Sequence, residues 1–333
     1  MRTGAIDWGA LTHVCFRSVE LLPDGGIKET RPREEVARLA AEAHRHGVKV
    51  AVLAWGTNAA NGAKYLARCP GLTAKSLLDY VRACGLDGVN IDDETWETVN
   101  AETGKPNREL VTWFFRALRK TFKSVRKDYH LSWAAPPVIS ARDRYGAAWP
   151  DYRAISAEVD AFAIMSYTMN PPTAGWTGGA VPVSGGGLVD GHPRDLATEL
   201  SDYLAATGGR KDRLLVGLGN SRAGVEWDCR GDGPLSPIVG KPRALSPESA
   251  RANAGTYGRR FDPAQMYPWY RHRSQNGWVQ GWYEDGESIK AKLDFARRNK
   301  LAGVCVWALD GAAEPPETFA LLREYAGLPK AAP

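Results

Sequence analysis

The apolar positions of this chain follow two alternating patterns. Short, nearly continuous β-like runs recur at 12–18 (THVCFRS), 48–54 (VKVAVLA), 87–92 (DGVNID), 130–136 (HLSWAAP), 159–167 (VDAFAIMSY), 213–219 (RLLVGLG) and 303–309 (GVCVWAL). Between them lie amphipathic segments with apolar residues at helical spacing. One is 33–46 (REEVARLAAEAHRH), which Gly47 stops; another is 107–127 (NRELVTWFFRALRKTFKSVRK), which Asn107 opens as an N-cap. Strands apolar on both faces, alternating with helices, predict a parallel sheet covered by helices. Units of about 30 to 50 residues suit an α/β fold of the (β/α)8 TIM-barrel type with enlarged loops. The Gly/Pro-rich stretches 170–193 and 220–260 are too long for simple turns. In a barrel, such loops after strands line the C-terminal face, where chemistry occurs. No domain linker and no internal repeat is evident.

Composition narrows this picture. A chain of 333 residues can bury one large core, and 44% hydrophobic with 24% charged residues is the make-up of a soluble globular enzyme. The net charge of +5, from 43 basic and 38 acidic residues, is small and scattered, so no nucleic-acid partner is expected. No run of ~18 apolar residues exists, so no membrane-spanning helix is expected. The start, MRTGAIDWGALTHVCF, lacks the charged-then-apolar layout of a signal peptide. Cys15, Cys69, Cys84, Cys229 and Cys305 are odd in number, widely spread and without a CxxC pair, which signals neither zinc nor a disulfide framework. Cys15 and Cys305 lie in apolar runs and read as core fillers. The histidines lack metal-ligand spacing except His44 and His46, and residues two apart on a helix do not share a face, so these read as surface residues. No metal and no cofactor is expected. Twelve Trp is a high count that fits either sugar-stacking platforms or buried anchors.

Candidate chemistry concentrates in residues 87–94, DGVNIDDE. Asn90, Asp92 and Glu94 are spaced by two, so on a strand they share a face, and Val89 and Ile91 take the other. Two acids on one face repel each other, a costly placement for structure alone. A paired Asp and Glu is the equipment of a glycosidase, in which one carboxyl protonates the leaving oxygen and the other stabilises charge at the sugar carbon. Asp87 and Gly88 read as a turn before the strand. No Ser-His-Asp arrangement is evident, and GGG at 185–187 does not match a dinucleotide fingerprint.

DGVNIDDE resembles the DxxDxDxE motif of family 18 glycoside hydrolases, the chitinases and related β-N-acetylglucosaminidases. Its surroundings follow the family's order. IDWGALTHVCF with DGG at 24–26 resembles the second barrel strand, AHRHGVKVAVLAWG the third, GLDGVNIDDE the fourth and LSWAAPP the fifth. VDAFAIMSYT resembles the sixth, KDRLLVGLG the seventh, and YEDGESIKAKLDFARRNKLAGVCVWALDG the closing segment. The likeness covers about residues 5–312.

This resemblance implies that Glu94 is the catalytic acid, acting later as base, and that Asp92 orients the substrate's 2-acetamido group. The nucleophile is then the acetamido oxygen, giving an oxazolinium intermediate and net retention. Tyr167 matches the tyrosine that hydrogen-bonds the acetamido group, Met165 begins the family's MxYD pattern, and Trp307 matches the indole floor of the site. Trp55, just past the third strand, either borders the cleft or packs under a loop. Trp176, Trp227, Trp278 and Trp282 fall in loop-like stretches and are candidates to stack on distal sugars. Three positions depart from the family pattern: Asn90 stands where Asp is usual, Asp93 where an outward-facing aromatic is common, and Thr168 where Asp follows the tyrosine. They point to an altered substrate or pH optimum.

The family's first strand has no counterpart, since Met1 to Ile6 is too short for it. The expectation is that the true start lies upstream and that a signal peptide was lost with that strand, in keeping with a secreted or periplasmic enzyme. One barrel domain is expected over 1–325, with a tail at 326–333. A small insertion is expected at 220–278, between strands seven and eight, with a shallow, open cleft. The expected function is retaining hydrolysis of β-linked N-acetylglucosamine glycans: chitin fragments, peptidoglycan-type glycans or N-glycan cores. The expected protein is a monomer whose partner is its carbohydrate substrate, with neither nucleic acid nor membrane. Two alternatives remain open, a chitinase-like lectin and a hydrolase of the same fold acting on another sugar.

Overall fold

The β-like runs form strands in the computed structural model, which describes residues 6–56, 69–93, 99, 103–138, 150–167, 169–170, 174–189, 191–219, 224–275, 277–309 and 317–327. The chain forms two compact units, one of Asp7–Ile164 with Asp202–Leu215, the other of Met1–Ile6, Met165–Ser201 and Val216–Pro333.

The first unit is a βα-alternating layer. Its strands are β1 (His13–Leu21), β2 (Ile27–Glu29), β3 (Lys49–Trp55), β4 (Gly88–Asp92), β5 (His130–Ala135) and β6 (Ala161–Ile164), ordered β6-β5-β4-β3-β1-β2. Every pairing is parallel except that of β2, which folds back antiparallel on β1. Helices α1 (Arg33–Arg45), α2 (Pro70–Ala83), α3 (Asn107–Val125) and α4 (Tyr152–Ser156) connect them. Helix α1 stops at Gly47, whose φ of 72° is a left-handed conformation that costs glycine little. Asn107, expected as an N-cap, is instead the first helical residue: Pro106 occupies the cap and the Asn107 side chain is buried. The core is aromatic at its β5 end, where Trp133 lies 5.8 Å from Phe162 and Tyr152 packs edge-on against Tyr203 at 5.3 Å. Both tyrosine hydroxyls donate to the Pro136 carbonyl, at 3.0 and 2.7 Å.

Cys15 departs from its expected place in the core. On β1, Val14, Phe16 and Ser18 are buried whereas His13, Cys15 and Arg17 are exposed, so the two-residue period turns Cys15 away from the helix-covered core. At the strand starts, two carboxylates clamp the sheet. Asp87 accepts from Val50 N at 2.9 Å, His44 Nε2 at 2.7 Å and Arg126 Nη2 at 3.1 Å. Asp160 accepts from Leu131 N at 3.0 Å and Lys123 Nζ at 2.8 Å. Burial pushes both carboxyls up, and these donors outweigh it, holding them below the ordinary carboxylate range. Between them the His13 and His130 rings meet at 4.7 Å. Burial, the His13 ring and the Lys123 and Lys49 charges push His130 down to about 4, against a raising effect from Asp160. Partial desolvation against the neighbouring strands and the Lys49 charge lower His13, with Asp87 opposing.

The second unit holds β7 (Leu188–Val189) paired with β8 (His192–Pro193), and most of β9 (Leu214–Gly219), beside which β15 (Gly303–Trp307) is hydrogen-bonded. Leu214 and Leu215 belong to the first unit, where they pair with Phe162 and Ala163. Helix α5 (Leu196–Thr207) also passes from the second unit into the first. A five-stranded antiparallel sheet is ordered β11 (Arg243–Leu245), β10 (Gly224–Cys229), β14 (Gly277–Tyr283), β13 (Tyr267–Ser274), β12 (Arg260–Asp262), with α6 (Pro247–Tyr257) packed on it. This is the stretch set aside as an insertion at 220–278; its sheet runs on to Tyr283. Trp227 and Trp282, expected in loop-like segments, are core residues here. Alternate positions of β10, β13 and β14 share a face, and Trp227, Tyr267, Trp269 and Trp282 form one buried cluster on it. The 170–193 stretch is pinned to this sheet: Thr177 Oγ1 donates to Gln280 Oε1 at 2.8 Å, and Gly179 N donates to Gln265 Oε1 at 2.8 Å.

Helix α7 (Gly286–Arg298) carries a buried ion pair. Lys292, whose side chain is 2% exposed, pairs with Glu284 at 8%, and the Tyr267 hydroxyl and Ser288 Oγ also donate to that carboxylate. Removing one partner strands a buried charge. Lys292→Met should therefore cost about 3–5 kcal/mol in urea unfolding, and adding Glu284→Gln should recover part of the loss. The lowered histidines make a second prediction. The unfolded chain takes up protons near pH ~6.5 that the folded His130 refuses until about 4, so stability falls as pH drops through that window. His130→Gln should flatten that slope in chemical denaturation series at stepped pH.

Candidate active site

Strand β4 positions the motif through a close backbone approach. A Cβ at Gly88 would lie 1.9 Å from the His130 carbonyl oxygen of β5, so only glycine lets the two strands pair there. Val89 and Ile91 are buried toward the helices. Asn90 faces the other way, and its Nδ2 donates to Ser132 Oγ on β5 at 2.8 Å. The register sets the neighbours: Leu53 opposes Asn90 and Trp55 opposes Asp92. Paired residues of parallel strands share a face, so Trp55 and Asp92 stand side by side. Trp55 therefore lies on the inward row. Its indole is 8% exposed, and Nε1 has no acceptor among the described residues. The Arg17 guanidinium lies over this ring, 3.9 Å from its centroid. Asp93 points to the helix-covered face and is 1% exposed. A Cβ at Gly56 would fall 2.6 Å from its Oδ1, so the Trp55-Gly56 step makes room for that carboxylate.

The second unit assembles another group. Cys305 and Trp307 are two apart on β15 and share a face, and the Tyr167 hydroxyl lies 4.0 Å from Cys305 Sγ. Burial pushes the Cys305 thiol up to about 12, so it is a neutral neighbour for the phenol. Gly219, closing β9, seats Tyr167: a Cβ there would come within 3.2 Å of the tyrosine Cβ and Cδ1. Trp307 is 38% exposed and is followed by a cis peptide to Ala308. Met165 is partly buried just before Tyr167. Glu94 and Thr168 lie outside the described residues. The structure thus groups Asn90, Asp92 and Trp55 in one unit, and Tyr167 and Trp307 in the other. Arg17, Ser132, Gly219 and Cys305 were not expected from sequence as neighbours of these residues. Arg17 had a readable signal, a charge inside the apolar run THVCFRS. Among the described residues no group of three or more His, Cys, Asp or Glu could hold a metal ion, and no helix is long and apolar enough to cross a membrane.

The chain belongs to glycosyl hydrolase family 18, whose family description matches residues 2–312. It is 23% identical over 307 residues to the cortical fragment-lytic enzyme of Bacillus anthracis, covering 90% of this chain and 65% of that protein. It is 27% identical over 270 residues to chitinase 63 of Streptomyces plicatus, covering 73% of this chain and 39% of the other. The chain thus spans less than two thirds of the length of these curated relatives. Among solved structures, the class V chitinase from Nicotiana tobaccum superposes with a TM-score of 0.78 at 14% identity, covering 97% of this chain and 94% of that one. The Bacillus megaterium spore cortex-lytic enzyme SleL gives 0.71 at 19%, covering 98% and 70%. The fold is accordingly the (β/α)8 TIM barrel of this family.

Gly88 tests how the motif strand is positioned. Gly88→Ala should lower stability by about 1–3 kcal/mol or more in urea unfolding, because the obstructing atom is backbone and cannot swing aside.

Proposed function

We propose that this protein is a glycosidase that cleaves β-linked N-acetylglucosamine-containing glycans with retention, using the substrate's own acetamido group as nucleophile. The observation that carries the reading is the inward row on β4, with Asn90, Asp92 and the adjoining Trp55, in a chain of glycosyl hydrolase family 18. Glu94 continues the same alternation in sequence. In this reading Glu94 protonates the glycosidic oxygen and later activates water. Asp92 holds the acetamido group so that its carbonyl oxygen reaches the anomeric carbon, and stabilises the positive charge that develops there. In the same reading the Tyr167 hydroxyl, which has the Cys305 thiol 4.0 Å away, donates to the acetamido oxygen. By the family likeness Trp307 supplies an apolar face beneath the sugar, and Met165 and Thr168 are further candidates to contact it.

Asn90 sets this chain apart. Its amide carries no titrating proton to share with Asp92 and instead donates to Ser132 Oγ.

The test is product release from a series of defined N-acetylglucosamine oligomers and their glucose counterparts. Cleavage of the acetamido series alone is expected, and Glu94→Gln should reduce it by about 10²–10⁴-fold. Cleavage of the glucose series would remove the acetamido mechanism. Binding without cleavage would make the protein a carbohydrate-binding member of the fold.

A further inference from the structure

We propose that the glycan taken by this site carries carboxylate groups, and that Arg17 is the residue that reads them. The inference rests on the glycosidase reading above and names its substrate class more narrowly. Three observations carry it. Arg17 lies on β1 in register with Leu53, which in turn pairs with Asn90, so its side chain starts on the same inward row as the motif. Its guanidinium is exposed and lies 3.9 Å from the centre of the Trp55 ring, and Trp55 is the register partner of Asp92. No carboxylate among the described residues forms an ion pair with it; the nearest acid along its strand, Glu20, is paired with Lys28 at 3.0 Å.

The Arg17 guanidinium carbon lies over the Trp55 ring, and a guanidinium resting on an indole face keeps N–H groups at its edge with which to grip a carboxylate bidentately. The Trp55 indole N–H beneath it is buried and lacks an acceptor among the described residues. Charge and fixed donors beside the candidate aspartate would be wasted on a neutral chitin chain. They match an N-acetylhexosamine glycan whose sugars carry acid groups, either as a lactyl ether on alternate residues or as a uronic acid.

Binding is measured by calorimetry in a Glu94→Gln background, so that the sugar is not consumed. The probes are four tetrasaccharides: all N-acetylglucosamine; N-acetylglucosamine alternating with its 3-O-lactyl derivative; the methylamide of that lactyl compound; and N-acetylglucosamine alternating with glucuronic acid. An acidic probe should bind about tenfold or more tighter than the neutral chain, and whichever acidic probe wins identifies the source of the carboxylate. The methylamide should lose that advantage, and so should the acid when ionic strength rises from about 0.05 to about 0.5 M. Arg17→Gln should bring the acidic-to-neutral ratio to about one, and Arg17→Lys should keep part of it. Equal binding of acidic and neutral chains by the parent protein would overturn this inference and leave the glycosidase reading standing. The inference is also overturned if Arg17→Gln weakens both alike, since that marks a prop for Trp55. If none of the probes binds to folded protein, both readings fall. Should Arg17→Gln fail to fold, the methylamide and salt comparisons on the parent protein decide alone.

Discussion

A parallel strand buried on both faces leaves its polar side chains nowhere to go except into a prepared partner or a ligand, and β4 is such a strand. Val89, Ile91 and Asp93 take the helix side, which commits Asn90 and Asp92 to the inward side. Everything local follows from that commitment. Gly88 lets β5 come close enough for Ser132 to meet Asn90, and Gly56 leaves a space for Asp93. The register then sets Trp55 against Asp92. Each of these neighbours is what a buried polar row requires in order to persist.

The same rule accounts for the charges elsewhere. Asp87 and Asp160 survive burial because backbone amides and cationic side chains converge on each, tying α1, α3 and the strand starts together. Glu284 and Lys292 go further, since both are deep inside the second unit and each is the other's counter-charge. Against that background an arginine on an inward strand face, stacked on an indole and without a carboxylate among the described residues, stands out.

Much of the first unit was legible in the sequence because its strands are short apolar runs and its helices carry regular apolar spacing. The runs 87–92 and 213–219 differ from the observed strands by one residue at the start, and 48–54 by one residue at each end. The antiparallel sheet of the second unit was less legible. Its strands mix Trp, Tyr, Arg and His, and buried tryptophans such as Trp227 and Trp282 look the same in sequence as exposed ones. Asn276-Gly277 between two alternating runs was the available hairpin signal. Cys15 shows the opposite failure: in an apolar run the face that each residue takes is set by what covers the strand.

The sequence by itself determined the alternation of Asn90, Asp92 and Glu94 and the order of strands and helices, because both follow from periodicities of the backbone. It also carried the likeness to family 18, since motif and order are properties of the chain. Tertiary structure alone decided which residues stand beside these. Ser132 against Asn90, Trp55 against Asp92, Arg17 over Trp55 and Cys305 against Tyr167 are meetings across strands far apart in the chain. Register and the close approach allowed by glycines set those meetings, and neither is written in the spacing of any single segment.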